Sequence, residues 1–330
     1  MSPEGHGRSE RTDAAGGGPI DAALRWTCVG ALAILLSGCE ASVLDPQGPI
    51  GAQEKQILLN AMAIMLAIVI PTLLATLGFA WWFRASNTKA KFLPDFVYSG
   101  RIELVVWAIP VLTITFLGGL IWIGSHDLDP ARPIPSAAPA TEVQVVSLDW
   151  KWLFIYPKEG IASVNQLVVP AGQPVHFSLT SASVMNVFFV PQLGSEIYTM
   201  NGMATQLNLQ ADHPGTFYGQ SAHFSGDGFS DMHFQVRALP LADYAAWVAG
   251  ARQAGQTLDQ GAYAGLAQQN TVAQPFTYRA VSPDLFQAIL SRQAAPGPGP
   301  ADGRGGAGVS PRSPNANDGP NVNNGKSNAG

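Results

Sequence analysis

Few residues in this chain carry side chains suited to chemistry, and most of them are poorly spaced for it. There are two cysteines, Cys28 and Cys39, and six histidines among 330 residues. Two thiols are too few for a disulfide framework or a zinc ribbon. His176 and His233 alternate with apolar neighbours, which turns them toward solvent and away from a metal role. His223 sits in a polar loop and reads as a loop residue. Glu103 is different: it opens a long uncharged run and has Arg101 beside it. Ionisable groups at membrane depth often mark proton routes. A carboxylate at the rim can also simply reach water, and both readings stand.

Cys39 has an informative context. Arg25 precedes an uncharged run from Trp26 to Gly38. A short apolar run after a positive charge has the shape of a signal peptide and is too short to span a bilayer. It ends in Leu36-Ser37-Gly38-Cys39, which resembles the bacterial lipobox. Residues 1–38 are therefore expected to be a signal peptide with a disordered start. Cys28 leaves with it, and Cys39 becomes the lipidated mature N-terminus.

The elements that must position these residues begin with membrane spans. The apolar fraction is 47% and the charged fraction 12%, against about 25% charged in soluble domains. A net charge of -5 gives no reason to expect nucleic acid as a partner. Ile57 to Phe83 carries no charge, and neither does Leu104 to Gly124. About 20 such residues cross a bilayer, so spans are expected over 57–83 and 102–124. The loop between them, 84–101, carries Arg84, Lys89, Lys91 and Arg101 against Asp95. Beyond Ser125 stand Asp127 and Asp129 against Arg132. The positive-inside rule puts the loop in the cytoplasm and everything after Ser125 outside.

After a Pro/Ala linker the period changes to two. Val175, Phe177 and Leu179 alternate with polar residues, as do Leu207 and Leu209, and Met232, Phe234 and Val236. Such alternation marks strands with one buried face, here expected as a β-sandwich over residues 141–238. From Leu241 the period is helical, with Tyr244, Trp247 and Val248 on one face. Ser282-Pro283-Asp284 reads as the start of a short helix, with Ser as cap and Pro in the first turn. Residues 239–293 are thus expected to be a helical extension. Residues 294–330, rich in Gly, Pro, Asn and Ser, are expected to be disordered.

Phe217-Tyr218-Gly219-Gln220-Ser221-Ala222-His223-Phe224-Ser225-Gly226 resembles the copper loop of cytochrome c oxidase subunit II, where Cys, Glu and Cys precede His and Met. Val184 to Pro191 resembles the strand bearing that family's first His ligand, and Asp149-Trp150-Lys151-Trp152 and the helical hairpin match as well. At the six copper-ligand positions this chain has Asn186, Ser221, His223, Ser225, Phe229 and Met232, and only Met232 keeps the family's residue. A dinuclear copper centre needs bridging thiolates, and serine hydroxyls are hard, weak, protonated donors. With the lipobox, the Ser221 to Ser230 segment and Tyr278 to Phe286, the chain resembles subunit II of the cytochrome bo-type ubiquinol oxidases.

That resemblance implies an α+β membrane protein: a two-helix hairpin, a cupredoxin-like antiparallel sandwich and short C-terminal helices. It implies a subunit of a proton-pumping ubiquinol oxidase in the bacterial inner membrane. No cofactor is expected on this chain. Hemes and copper belong to a heme-copper large subunit, accompanied by small membrane subunits, with ubiquinol as substrate and no soluble cytochrome c. Glu103 resembles the mouth of a proton channel into that large subunit. Trp150 and Trp152 resemble the aromatic patch that receives electrons from cytochrome c; without copper there is no acceptor, and they read as packing. The alternatives are a cytochrome c oxidase subunit II-like electron carrier and a free-standing membrane-anchored scaffold on the same fold.

Overall fold

The computed structural model describes residues 42–91, 93–226, 228–269 and 274–294. The expected signal peptide, Cys39 and the tail from 295 onward lie outside them.

Two long helices come first, α1 (Pro49–Trp82) and α2 (Gly100–Asp127). Their most apolar windows have mean hydropathies of 2.5 and 2.3, and none of those residues is buried within the chain. Both helices outrun the expected spans. Hydropathy marks only the part that tolerates lipid, whereas the first turns of α1 carry Gln53, Glu54, Lys55 and Gln56. At about 1.5 Å per residue, a hydrocarbon core of about 30 Å cannot hold the whole of either helix. Pro71 and Pro110 lie inside them, which membrane helices accommodate.

The sandwich follows as β1 (Thr141–Leu148), β2 (Lys151–Tyr156), β3 (Ile161–Val164), β4 (Gln166–Pro170), β5 (Pro174–Ser181), β6 (Asn186–Val190), β7 (Gly194–Thr199), β8 (Thr205–Gln210), β9 (Gly215–Ser221) and β10 (His233–Leu239). The rest comprises α3 (Leu241–Gln253), β11 (Thr257–Leu258), α4 (Gln260–Leu266), β12 (Phe276–Tyr278), β13 (Ala280–Val281) and α5 (Leu285–Leu290). One sheet runs β12-β3-β2-β1-β5-β8 and the other β4-β10-β9-β6-β7. Most pairs are antiparallel, but β1 runs parallel to β5 and β4 to β10. The sandwich is therefore mixed rather than purely antiparallel.

Between the sheets lie Trp152, Phe154, Phe177, Phe188 and Phe234. Phe188 stacks on Phe234 at 5.2 Å, and Trp152 meets Phe188 edge-on at 5.5 Å. β10 alternates because its other face is wet. β2 does not alternate; all six of its residues are buried. The cause is the C-terminal segment, whose Tyr263, Tyr278, Leu285, Phe286 and Ile289 pack on Val146, Leu148, Leu153 and Ile155 on the outside of that sheet.

The region 239–293 is thus not a purely helical extension. It holds three short strands, and β12 pairs with β3 to lengthen the sheet. Nor does Ser282 cap a helix. Its N–H donates to Leu258 O at 3.1 Å, so its backbone continues the β11–β13 pairing, and α5 starts at Leu285. His176 is half-buried rather than fully solvent-facing, with Nδ1 3.0 Å from Asn208 Oδ1.

Candidate functional site

The six positions flagged by motif converge at one end of the sandwich. Asn186 begins β6, Ser221 ends β9, and the loop to β10 carries the other four. Asn186, Ser221 and Met232 are buried. Ser221 Oγ–H is within reach of two acceptors, Asn186 Oδ1 at 3.2 Å and His223 O at 3.3 Å. Ser221 N–H donates to Met232 O at 3.0 Å, and Ser225 Oγ lies 3.9 Å from Met232 Sδ. Asn186 Nδ2 is used by Val184 O at 3.2 Å. Behind it, Thr199 donates to Asn186 O at 3.3 Å and is itself 2.8 Å from Ser147 Oγ, which ties the two sheets together. Phe229 lies on a 3₁₀ turn, edge-on to Phe224 at 5.6 Å.

The hairpin between β1 and β2 holds this loop in shape. Leu148 pairs with Lys151, which leaves Asp149 and Trp150 as the turn. Trp150 has φ 64, a conformation that costs a bulky L-residue about 1 kcal/mol or more. Its buried indole donates to Ser225 O at 3.2 Å and lies on Gly228, where a Cβ would fall 2.2 Å from the ring. Trp150 and Trp152 are both buried, in keeping with a packing role.

The donor set does not suit copper. An amide, two hydroxyls and a phenyl ring stand where thiolates and imidazoles hold a delocalised pair, and only the Met232 thioether and the His223 imidazole could donate to a soft metal. The Asn186 amide and the Ser221 hydroxyl are engaged with each other and with carbonyls, and the Ser225 hydroxyl faces the Met232 sulfur. Among the described residues no group of three or more His, Cys, Asp or Glu is placed to hold a metal ion. The arrangement is a hydrogen-bonded plug at the positions of a metal loop.

Glu103 is not part of it. It lies in the first turn of α2, exposed, where a carboxylate suits the helix dipole. The plug stands beyond the other end of that helix, which alone is about 40 Å long.

Sequence reading missed a second buried polar group. Lys151 is fully buried, and its Nζ donates to Gln268 O at 2.7 Å and to Asp149 O at 3.3 Å. Burial pushes its ammonium down to about 8, against the pull of the Asp149 carboxylate. That carboxylate accepts from Ser183 and, at 3.1 Å, from Gln269. The only signal was charge inside Asp149-Trp150-Lys151-Trp152, a segment singled out for its tryptophans.

A helical hairpin bearing a cupredoxin-like sandwich, with its metal loop filled by hydroxyls and an amide, defines a membrane-anchored, oxidase-type subunit II without the copper donors. Residues 149–239 match the family described as cytochrome c oxidase subunit II, periplasmic domain, and 252–297 match the cytochrome oxidase aromatic-rich motif. The cytochrome bo(3) ubiquinol oxidase subunit 2 of Pseudomonas aeruginosa is 46% identical over 271 residues, 82% of each chain. The ubiquinol oxidase subunit 2 of Acetobacter aceti is 46% identical over 79% of this chain and 85% of its own. A quinol oxidase subunit 2 of Bacillus cereus is 32% identical over 74% and 84%. This chain belongs to the ubiquinol oxidase subunit 2 family.

Proposed function

We propose that this chain is subunit II of a proton-pumping, bo-type ubiquinol oxidase of the aerobic respiratory chain. The observation that carries the reading is the plug. The fold keeps the loops of a copper-binding subunit II while Asn186, Ser221, Ser225 and Phe229 replace ligands with groups that cannot hold the metal. Such a sandwich cannot relay electrons from a soluble carrier. Electrons must reach the oxygen-reducing centre another way, and a quinol dissolved in the membrane is the donor that the family relationship supports. Hemes, the remaining copper and the quinol site then belong to a heme-copper large subunit.

In this reading the signal peptide ends at Gly38 and Cys39 carries the lipid. The two helices cross the inner membrane, with 84–99 in the cytoplasm and the sandwich in the periplasm. Glu103, at the cytoplasmic mouth of α2, hands protons to the large subunit. The supports are the lipobox, the charge bias of the flanks and the placement of a carboxylate at the rim of an apolar span.

Purification through an affinity tag on this chain tests the reading in one experiment. A heme-bearing large subunit should accompany it, and its intact mass should show loss of residues 1–38 with added acyl chains. Recovery of this chain alone, without heme, would overturn the oxidase assignment; an unmodified Cys39 would overturn the anchor.

A further inference from the structure

The hairpin closes at one end and opens at the other. Gly124 near the end of α2 lies against Ile57 of α1, so close that a Cβ would fall 2.7 Å from Ile57 Cδ1. At the far end the helices and their connection enclose an open groove of about 600 Å³, lined by Phe79, Phe83, Arg84, Lys91, Phe96 and Ile102. Its lining is of two kinds. Phe79 and Phe83 stack at 6.2 Å and are 65% and 58% exposed, an apolar wall left open among the described residues. Arg84 and Lys91 supply positive charge. The Arg84 guanidinium stands 4.7 Å over the Trp81 ring, donates to Trp81 O at 3.1 Å and to Ser86 Oγ at 2.9 Å, and is thereby held at the helix end. Among the described residues neither cation has a carboxylate within salt-bridge distance; the ion pairs found lie at Arg132–Asp127 and Lys158–Glu142.

We propose that this groove binds a phospholipid with an anionic headgroup, the headgroup phosphate lying between Arg84 and Lys91 and an acyl chain along Phe79, Phe83 and Ile102. A hydrocarbon wall directly under two cations matches the two halves of such a molecule. The connection and the first turn of α2 carry Arg84, Lys89, Lys91 and Arg101 against Asp95 and Glu103, and clustered basic residues beside a span favour anionic lipid. A zwitterionic lipid offers the same chain without the net charge. The inference rests on α1 and α2 being spans and not on the identity of the electron donor.

The test uses the purified complex in nanodiscs of phosphatidylglycerol mixed with phosphatidylcholine, with retained lipids counted by native mass spectrometry. Phosphatidylglycerol should be retained several-fold over phosphatidylcholine, and R84Q/K91Q should lose that excess with the same chains present. Because Arg84 also holds the helix end, K91E provides a second variant that leaves that end intact and should show the same loss. Equal retention of the two lipids, or unchanged retention in K91E, would overturn the site. So would a photocrosslinker at position 96 that reaches a partner chain instead of lipid, since the groove would then be a subunit interface. Quinol turnover of the same samples separates failure of the lipid site from failure of the oxidase reading.

Discussion

Asn186 and Ser221 hydrogen-bond to each other and Ser225 meets Met232, so the loop is held by its own side chains at the spacing of a metal loop. Spacing decides where these side chains point, and residue type decides whether they bind. Restoring residue type should therefore restore the site. Asn186→His, Ser221→Cys, His223→Glu, Ser225→Cys and Phe229→His, with Met232 kept, would rebuild the whole donor set. The native subunit should stay colourless with copper salts, and the five-fold variant should gain the intense visible absorption of a thiolate-bridged mixed-valence pair. Unoptimised neighbours can weaken binding by about 10–100-fold. A folded variant that stays colourless in excess copper would mean the loops are not so arranged. Lys151 yields a pH-dependent prediction. Its folded value of about 8 lies below its ordinary 10.5. Between those values the unfolded chain keeps a proton that the folded chain releases, so this group's contribution rises with pH over that window and is flat below about 8. Lys151→Met has no such titration. The difference in thermal midpoint, wild type minus variant, should shift in favour of the wild type from pH 7 to pH 10. A difference that stays constant would mean the ammonium is not buried as described.

At the scale of elements, the hairpin is strapped to the sandwich. Gln47 N–H donates to Gln192 O at 2.7 Å, Asp212 N–H to Gln47 O at 2.9 Å, and Asn208 N–H to Pro130 O at 2.9 Å. The segments before α1 and after α2 therefore both grip β8 or its flanks. Gly48 passes so close that a Cβ would stand 2.0 Å from Gln210 O, a backbone atom that cannot swing away. Gly48→Ala should cost about 1–3 kcal/mol, read as a lower thermal midpoint and faster proteolysis before α1; unchanged stability would mean the strap is not seated there. Elements were legible in sequence where a single physical demand shaped them. The apolar spans and the alternating β5, β8 and β10 each answer to one face or one solvent. β2 is buried on both faces and carries Lys151, so it shows no period. β12 is three residues long and is defined by its partner β3, which no local pattern encodes. The first turns of α1 are helical because the sandwich holds them, although they carry charge. The candidate site was legible because its neighbours keep a known spacing. The buried Lys151–Asp149 group was not, since its burial comes from Gln268 and Gln269, far along the chain.

The molecule as a whole separates two roles. On the proposed reading the sandwich contributes shape with its plugged loop, while Glu103, the proposed proton-entry carboxylate, stands at the opposite end of α2. If Glu103 hands protons inward, Glu103→Ala should slow oxygen reduction in a complex that assembles normally, because exposure at a helix start gives it little part in folding. Normal turnover in the assembled variant would make it an interfacial carboxylate and no more. The plug, by contrast, bears on where electrons come from. If the sandwich holds no copper it cannot serve a soluble donor, and the purified complex should be driven by quinol. Oxygen consumption measured with ubiquinol and, separately, with reduced cytochrome c decides this. Sustained turnover with ubiquinol and none above background with cytochrome c is the expected result; comparable turnover with cytochrome c would contradict the reading of this chain as a subunit II without an electron relay.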